Sequence, residues 1–197
     1  MILYSKKWIV FSIALLLVFL FCSFVSSLSL NKRYEFFGIA FGTENVPSTN
    51  VMLEKEFLKI LNKARKDSLL EPVMLDVDLS RAARYHSYDM ATQNYRGHET
   101  LDRNPITDSL EFICDDHART KQFLKHETKS KVWRVSGGVY ENCAWGSSTA
   151  MHVFINWYNS PGHCKNMFNP SHRLIGIGYI HIPGSKNAHC WTTDFSK

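Results

Sequence analysis

Three residues of this chain combine a side chain suited to metal or acid–base chemistry with a local sequence that would present it. They are His98 in Arg96-Gly97-His98-Glu99, Glu141 in Gly138-Val139-Tyr140-Glu141-Asn142, and His163 in Ser160-Pro161-Gly162-His163. Two imidazoles and a carboxylate could hold Zn(II) with room left for a water, as in catalytic sites of the His/His/Glu kind. The carboxylate could instead stand behind the metal, accepting a hydrogen bond from one imidazole and fixing its tautomer. The second role is the one preferred for Glu141. Spacing alone also allows plainer roles: a structural histidine on a turn, a solvated loop histidine and an exposed strand-end glutamate. There is no His-Glu-x-x-His motif, and no serine or cysteine stands out as an activated nucleophile.

The elements that would position these residues are legible from periodicity. Ala150, Val153, Phe154 and Trp157 fall at helical spacing, with Ser147 or Ser148 as N-cap. Ser160-Pro161-Gly162 stops that helix and leaves His163 on a bend. Upstream, Leu53, Phe57, Ile60, Leu61 and Ala64 mark an amphipathic helix capped by Thr49 or Asn50. A second helix starts after Asp76 or Asp78 and buries Leu79, Ala82, Ala83, His86 and Met90 on one face. His86 on that apolar stripe reads as a hydrogen-bonded core histidine rather than a ligand. Asn94 to Gly97 breaks the helix and delivers His98 on a loop.

Pro105 at a helix start, with Ile106, Leu110 and Ile113 at helical spacing, predicts a short helix. The charged run from Asp115 to Lys131 reads as a surface excursion with some helical content, and Val132 to Val135 as a strand. Leu174 to Ile182 and Cys190 to Phe195 read as two further strands, with Gly176 and Gly178 allowing something to pack close against the sheet. Helices first, then strands with a helix between them, make an α+β domain.

The 197 residues, 45% hydrophobic and 21% charged, suit one globular domain plus a leader. Lys6 and Lys7 precede an uncharged apolar run from Trp8 to Val25 and then Ser26-Ser27-Leu28-Ser29. Residues 1–27 are therefore expected to be a secretory signal peptide, with an uncleaved signal anchor as the rival, followed by an irregular arm over 28–50 and the domain over 51–197. Membrane contact is expected only if the leader is retained. Loss of the leader's two lysines takes the formal charge from +5 to +3. With no basic block, a nucleic-acid partner is not expected. Cys114, Cys143, Cys164 and Cys190 remain, an even number that favours two disulfides in an exported chain and allows three pairings. No Cys-x-x-Cys pair suggests a zinc ribbon, and no Asn-x-Ser/Thr sequon with an allowed middle residue is present.

Taken together, Arg96-Gly97-His98-Glu99, the Glu141-Asn142 pair, Trp157-Tyr158-Asn159-Ser160-Pro161-Gly162-His163, Asn166 and the Gly176-Ile177-Gly178-Tyr179 strand resemble the CAP superfamily. This is also called the SCP, pathogenesis-related protein 1 or cysteine-rich secretory protein family, and the likeness is to its compact bacterial-type form. It covers about residues 53 to 195. The resemblance implies a three-layer αβα sandwich with a cleft where two histidines and acidic residues converge. His98, Glu141 and His163 match three members of that tetrad, and Trp157-Tyr158-Asn159-Ser160 offers no fourth acid. It further implies a loosely held Zn(II) on His98 and His163, and a Cys164–Cys190 bridge that leaves Cys114 with Cys143. The implied function is a secreted, non-catalytic binding protein for a lipid, a sterol or an extracellular protein. The rival is a metal-assisted hydrolase of extracellular peptide or cell-envelope material acting through His98, Glu141 and His163.

Overall fold

The computed structural model describes residues 37–125 and 138–197. The leader and the strand expected at Val132 to Val135 lie outside them. Among the described residues, no helix is long and apolar enough to cross a membrane. Residues 37–50 run without helix or strand.

Helix α1 (Val51–Asp67) begins where the Asn50 side chain accepts hydrogen bonds from the amides of Met52 and Leu53, at 3.1 and 3.3 Å. Glu54 in its first turn and Arg65 and Lys66 in its last complement the helix dipole. After the two-residue strand β1 (Met74–Leu75), Asp76 caps helix α2 (Val77–Gln93) in the same way. Asn94, in the left-handed conformation at φ 58°, ends it. The predicted buried face of Leu79, Ala82, Ala83, His86 and Met90 is sealed from solvent.

The main sheet runs β1, β5 (Leu174–His181), β6 (His189–Ser196), β4 (Tyr140–Trp145), with β1 parallel to β5 and the other pairs antiparallel. Alternation along the strands separates two cores. Ile177, Tyr179, Trp191 and Phe195 pack with Phe57 and Leu61 of α1 and with Trp157 of helix α4 (Ala150–Tyr158). Ile180, Cys143 and Cys190 pack with Ala82, Tyr85 and Met90 of α2. The architecture is thus the expected α+β, three-layer αβα sandwich. Gly176 and Gly178 set the spacing of one layer, because a Cβ there would lie 2.1 Å from the carbonyl carbon of Leu79 and 2.3 Å from that of Ala83.

Four local expectations are corrected. The helix expected from Pro105 is a hairpin of β2 (Thr100–Arg103) and β3 (Leu110–Cys114). Its turn mimics a helix start, since the Asn104 side chain accepts from the amides of Ile106 and Thr107 at 2.9 and 3.1 Å. Ile106 is 92% exposed, so its spacing to Leu110 marks no buried face. The N-cap of α4 is Thr149, which accepts from the His152 amide, whereas Ser147 is buried and bonded to Asn156. The bend at Ser160-Pro161-Gly162 does stop α4, but it opens a second helix, α5 (Pro161–Met167), because proline suits the first helical position as well as a stop. The charged run after Asp115 is no mere surface excursion. Its first part forms helix α3 (Asp116–Lys125), which buries Arg119, Thr120 and Phe123.

Candidate functional site

Strand alternation splits the Glu141-Asn142 pair between the two faces of β4. Glu141 turns toward α2 and α3, and its side chain has no solvent exposure. Asn142 turns toward α5, where its Nδ2 donates to the carbonyl of His163 at 3.1 Å and its Oδ1 accepts from Asn166 Nδ2 at 2.9 Å. Asn166 also donates to the Glu141 carbonyl at 3.2 Å. This amide network ties the helix carrying His163 to the strand carrying Glu141.

His98 is delivered by the loop after α2. Its Nδ1 donates to Glu141 Oε1 at 2.9 Å, and half of its side chain (49%) stays exposed. Nε2 is the nitrogen left to face outward. The loop is fixed from below by Arg119 of α3, whose Nη1 donates to the His98 carbonyl and to Thr100 Oγ1, both at 2.9 Å. The Nη2 of the same guanidinium pairs with Glu141 Oε2. His86 sits beneath, with Nε2 donating to the Gly97 carbonyl at 3.0 Å and lying 3.8 Å from Glu141 Oε1. Cys143, one strand period on, donates its thiol to Glu141 Oε1 at 3.2 Å.

These contacts decide the charges. Burial pushes the Glu141 carboxyl up, but the guanidinium of Arg119, with His86 and His98, outweighs it and holds the group at about 2. Asp194, opposite Glu141 in the β4–β6 register, is raised well above its ordinary value by burial and by the Glu141 charge. Burial and the Arg119 charge lower His86 to about 3, so it is neutral. The hydrogen bond to Glu141 raises His98. Burial and the charge of His98 lower His163, which sits half-buried near Trp157 with its ring 6.2 Å from the indole. Burial also drives the Cys143 thiol far up, with the Glu141 charge adding to it.

The fold therefore brings His98 and Glu141 into direct contact, and His163, on α5, is near enough to feel the charge of His98. Among the described residues, the metal-capable side chains that cluster are His86, Glu141 and Cys143, with ligand atoms within 4.8 Å of one another and all buried, and neither His98 nor His163 belongs to that group.

Periodicity places His86 in the core, where it is, but gives no hint that it touches the site. Arg119 carries no sequence signal within a charged run. Asp194 has a faint one, as the single acid in a strand whose neighbours are uncharged.

The expected bridges Cys164–Cys190 and Cys114–Cys143 are not formed, and all four cysteines are free. The reason is placement: Cys190 points into the α2 side of the sheet and donates to the Asn187 carbonyl, whereas Cys164 belongs to α5 on the other side. The Cys143 thiol is turned to Glu141.

Comparison with known proteins agrees with this geometry. The sequence profile of the CAP, or cysteine-rich secretory protein, family matches residues 58–195. The chain is 30% identical over 154 residues to the uncharacterized protein YkwD of Bacillus subtilis (strain 168), covering 78% of this chain and 50% of that protein, so it spans half the length of that relative. In structure it resembles an outer surface protein of Borrelia burgdorferi, at TM-score 0.55 and 17% identity over 75% of this chain and 93% of the other. It also resembles an extracellular protein containing a SCP domain from Bacillus anthracis str. Ames, at TM-score 0.53 and 22% identity over 74% of this chain and 40% of the other. With the Glu141-backed histidine, the αβα layers and the match over residues 58–195, the chain belongs to the cysteine-rich secretory protein (CAP) family.

Proposed function

We propose that this is an exported, non-catalytic binding protein that offers His98 and His163 to a divalent cation such as zinc and an adjoining apolar groove to a lipid, a sterol or a protein partner. The observation that carries this reading is the sealing of Glu141. Its side chain is unexposed, ionised and committed to Arg119 and His98, so it has no free oxygen with which to take a proton from a substrate or a water. Cys143 is no nucleophile either, because its thiol is buried and held in the protonated form. Of the three family residues, only the imidazoles reach the surface, where they are open to a ligand.

The groove runs along α5, the helix that carries His163. Tyr158, Pro161, Cys164, Phe168 and Pro170 line a volume of about 510 Å3. The outer face of α4 adjoins it, with Met151, Ile155 and Tyr158 each about half exposed. Export is supported by the basic, then apolar, then small-residue leader and by the extracellular and outer-surface descriptions of the two structural relatives.

The deciding experiment is a zinc titration by calorimetry and thermal shift, comparing wild type with the His98→Ala/His163→Ala double variant. Saturable binding that the double variant weakens at least tenfold is expected. Equal binding by both proteins would remove the cation from this cleft. Saturable fatty-acid or sterol uptake lost on Phe168→Asp is the matching result for the groove.

A further inference from the structure

A second pair of histidines stands well away from this cleft. His181 closes β5 and His189 opens β6, and the two are direct partners in the antiparallel register. Their rings stack at 4.3 Å between centroids with only 6° between planes. Both residues are half-buried, so one edge of each ring meets solvent. In the same register Glu141 lies opposite Asp194, five residues further along β6, so this pair is about 17 Å from that position at the usual strand rise.

The surroundings hold one ring and leave the other free to adjust. Tyr179 Oη is 2.8 Å from His189 Nδ1, and the Tyr179 ring lies nearly parallel to the His189 ring. With Nδ1–H donated to that hydroxyl, His189 turns the lone pair of Nε2 outward, the arrangement in which a supporting oxygen fixes the tautomer of a metal-binding imidazole. The backbone of His189 is anchored by the Gly146 amide at 2.8 Å, and that of His181 by Thr49 Oγ1 at 2.8 Å. Among the described residues, the His181 ring has no hydrogen-bond partner, so nothing but the stack restrains it.

We propose that His181 and His189 form a second, surface site for an imidazole-seeking divalent cation of the zinc or nickel class, with waters completing its coordination. Two nitrogens bound to one ion at about 2.0–2.1 Å each must lie about 3 to 3.4 Å apart. That is closer than the ring separation, so His181 tilts toward its fixed partner on binding. Imidazole-only ligation selects zinc, nickel or copper over calcium and magnesium, which take oxygen. This site does not depend on the cleft assignment above.

The test uses the full chain and Ni(II) alone as probe, since Ni(II) leaves the free thiols unoxidised. Calorimetry gives stoichiometry, and NMR locates the ion by paramagnetic broadening of imidazole signals. In the His98→Ala/His163→Ala background, one ion per chain is expected, broadening His181 and His189 first. His181→Ala in that background should weaken it at least tenfold, and Tyr179→Phe should weaken it several-fold while the rings remain. Unchanged affinity in His181→Ala, or broadening centred on other histidines, would overturn the proposal. So would absence of binding by the folded background protein, which would leave the stack as cross-strand packing. Loss of binding only on mutating His98 and His163 would support the cleft and defeat this site, so the two assignments fail separately.

Discussion

Arg119 and Glu141 form an ion pair with neither side chain exposed to solvent, between a helix that reads in sequence as a surface excursion and the strand at the centre of the family motif. A buried pair of this kind costs desolvation on both sides, so its consequence appears when one partner is removed. The same guanidinium also holds the His98 carbonyl, which makes α3 part of the site's support.

Arg119→Met is therefore expected to destabilise the fold by about 3–5 kcal/mol, the usual cost of stranding a buried charge. Urea unfolding at neutral pH measures it. The loss should shrink toward low pH, because without the guanidinium the Glu141 carboxyl rises and is protonated sooner. A loss that stays constant between pH 7 and pH 4 would show that packing, not charge, sets the effect.

The histidines should titrate in a distinct order. NMR is expected to show His98 above the ordinary histidine value, His163 below it, and His86 neutral until about pH 3. The linked stabilities have opposite signs. His98, raised in the folded state, adds stability that is present below the unfolded value near 6.5 and is lost as pH rises through its folded value. His86, depressed, adds stability that is present above about 6.5 and is lost as pH falls toward 3. Acid unfolding should therefore begin while most carboxylates are still ionised. His86 titrating near 6.5 in the folded chain would contradict the buried contact with Gly97 and Glu141.

Thiol reactivity should follow burial. Alkylation of the native chain followed by mass spectrometry is expected to label half-buried Cys114 and Cys164 first. Cys143, whose thiol burial drives far up, and Cys190, pushed up to about 12, should resist until the chain unfolds. Recovery of intact Cys164–Cys190 or Cys114–Cys143 bridges from the non-reduced protein would reverse the placement described above.

Much of the frame is legible in the chain itself. Helical spacing from Leu53 to Ala64 and from Leu79 to Met90, the Asn50 and Asp76 caps and the glycines of β5 specify which faces meet, because these are rules of period and of backbone shape that act within a few residues. His98, Glu141 and His163 are legible for a different reason, their place in motifs shared with a family. The turn at Asn104-Pro105 misleads because an Asx turn and a helix N-terminus use the same local hydrogen bonds, and only the pairing of Thr100–Arg103 with Leu110–Cys114 tells them apart.

The state of the site belongs to the tertiary structure. Glu141 is an ionised, sealed anchor because Arg119 arrives 22 residues earlier in the chain and outweighs the cost of its burial. His86, a core histidine by period, touches the carboxylate only because the sheet sits against α2 at glycine distance. His181 and His189 meet only because one hairpin register pairs them. Period and motif are properties of neighbours in sequence, whereas charge state depends on which groups are near in space and how little water lies between them. Those distances are set only when the layers close.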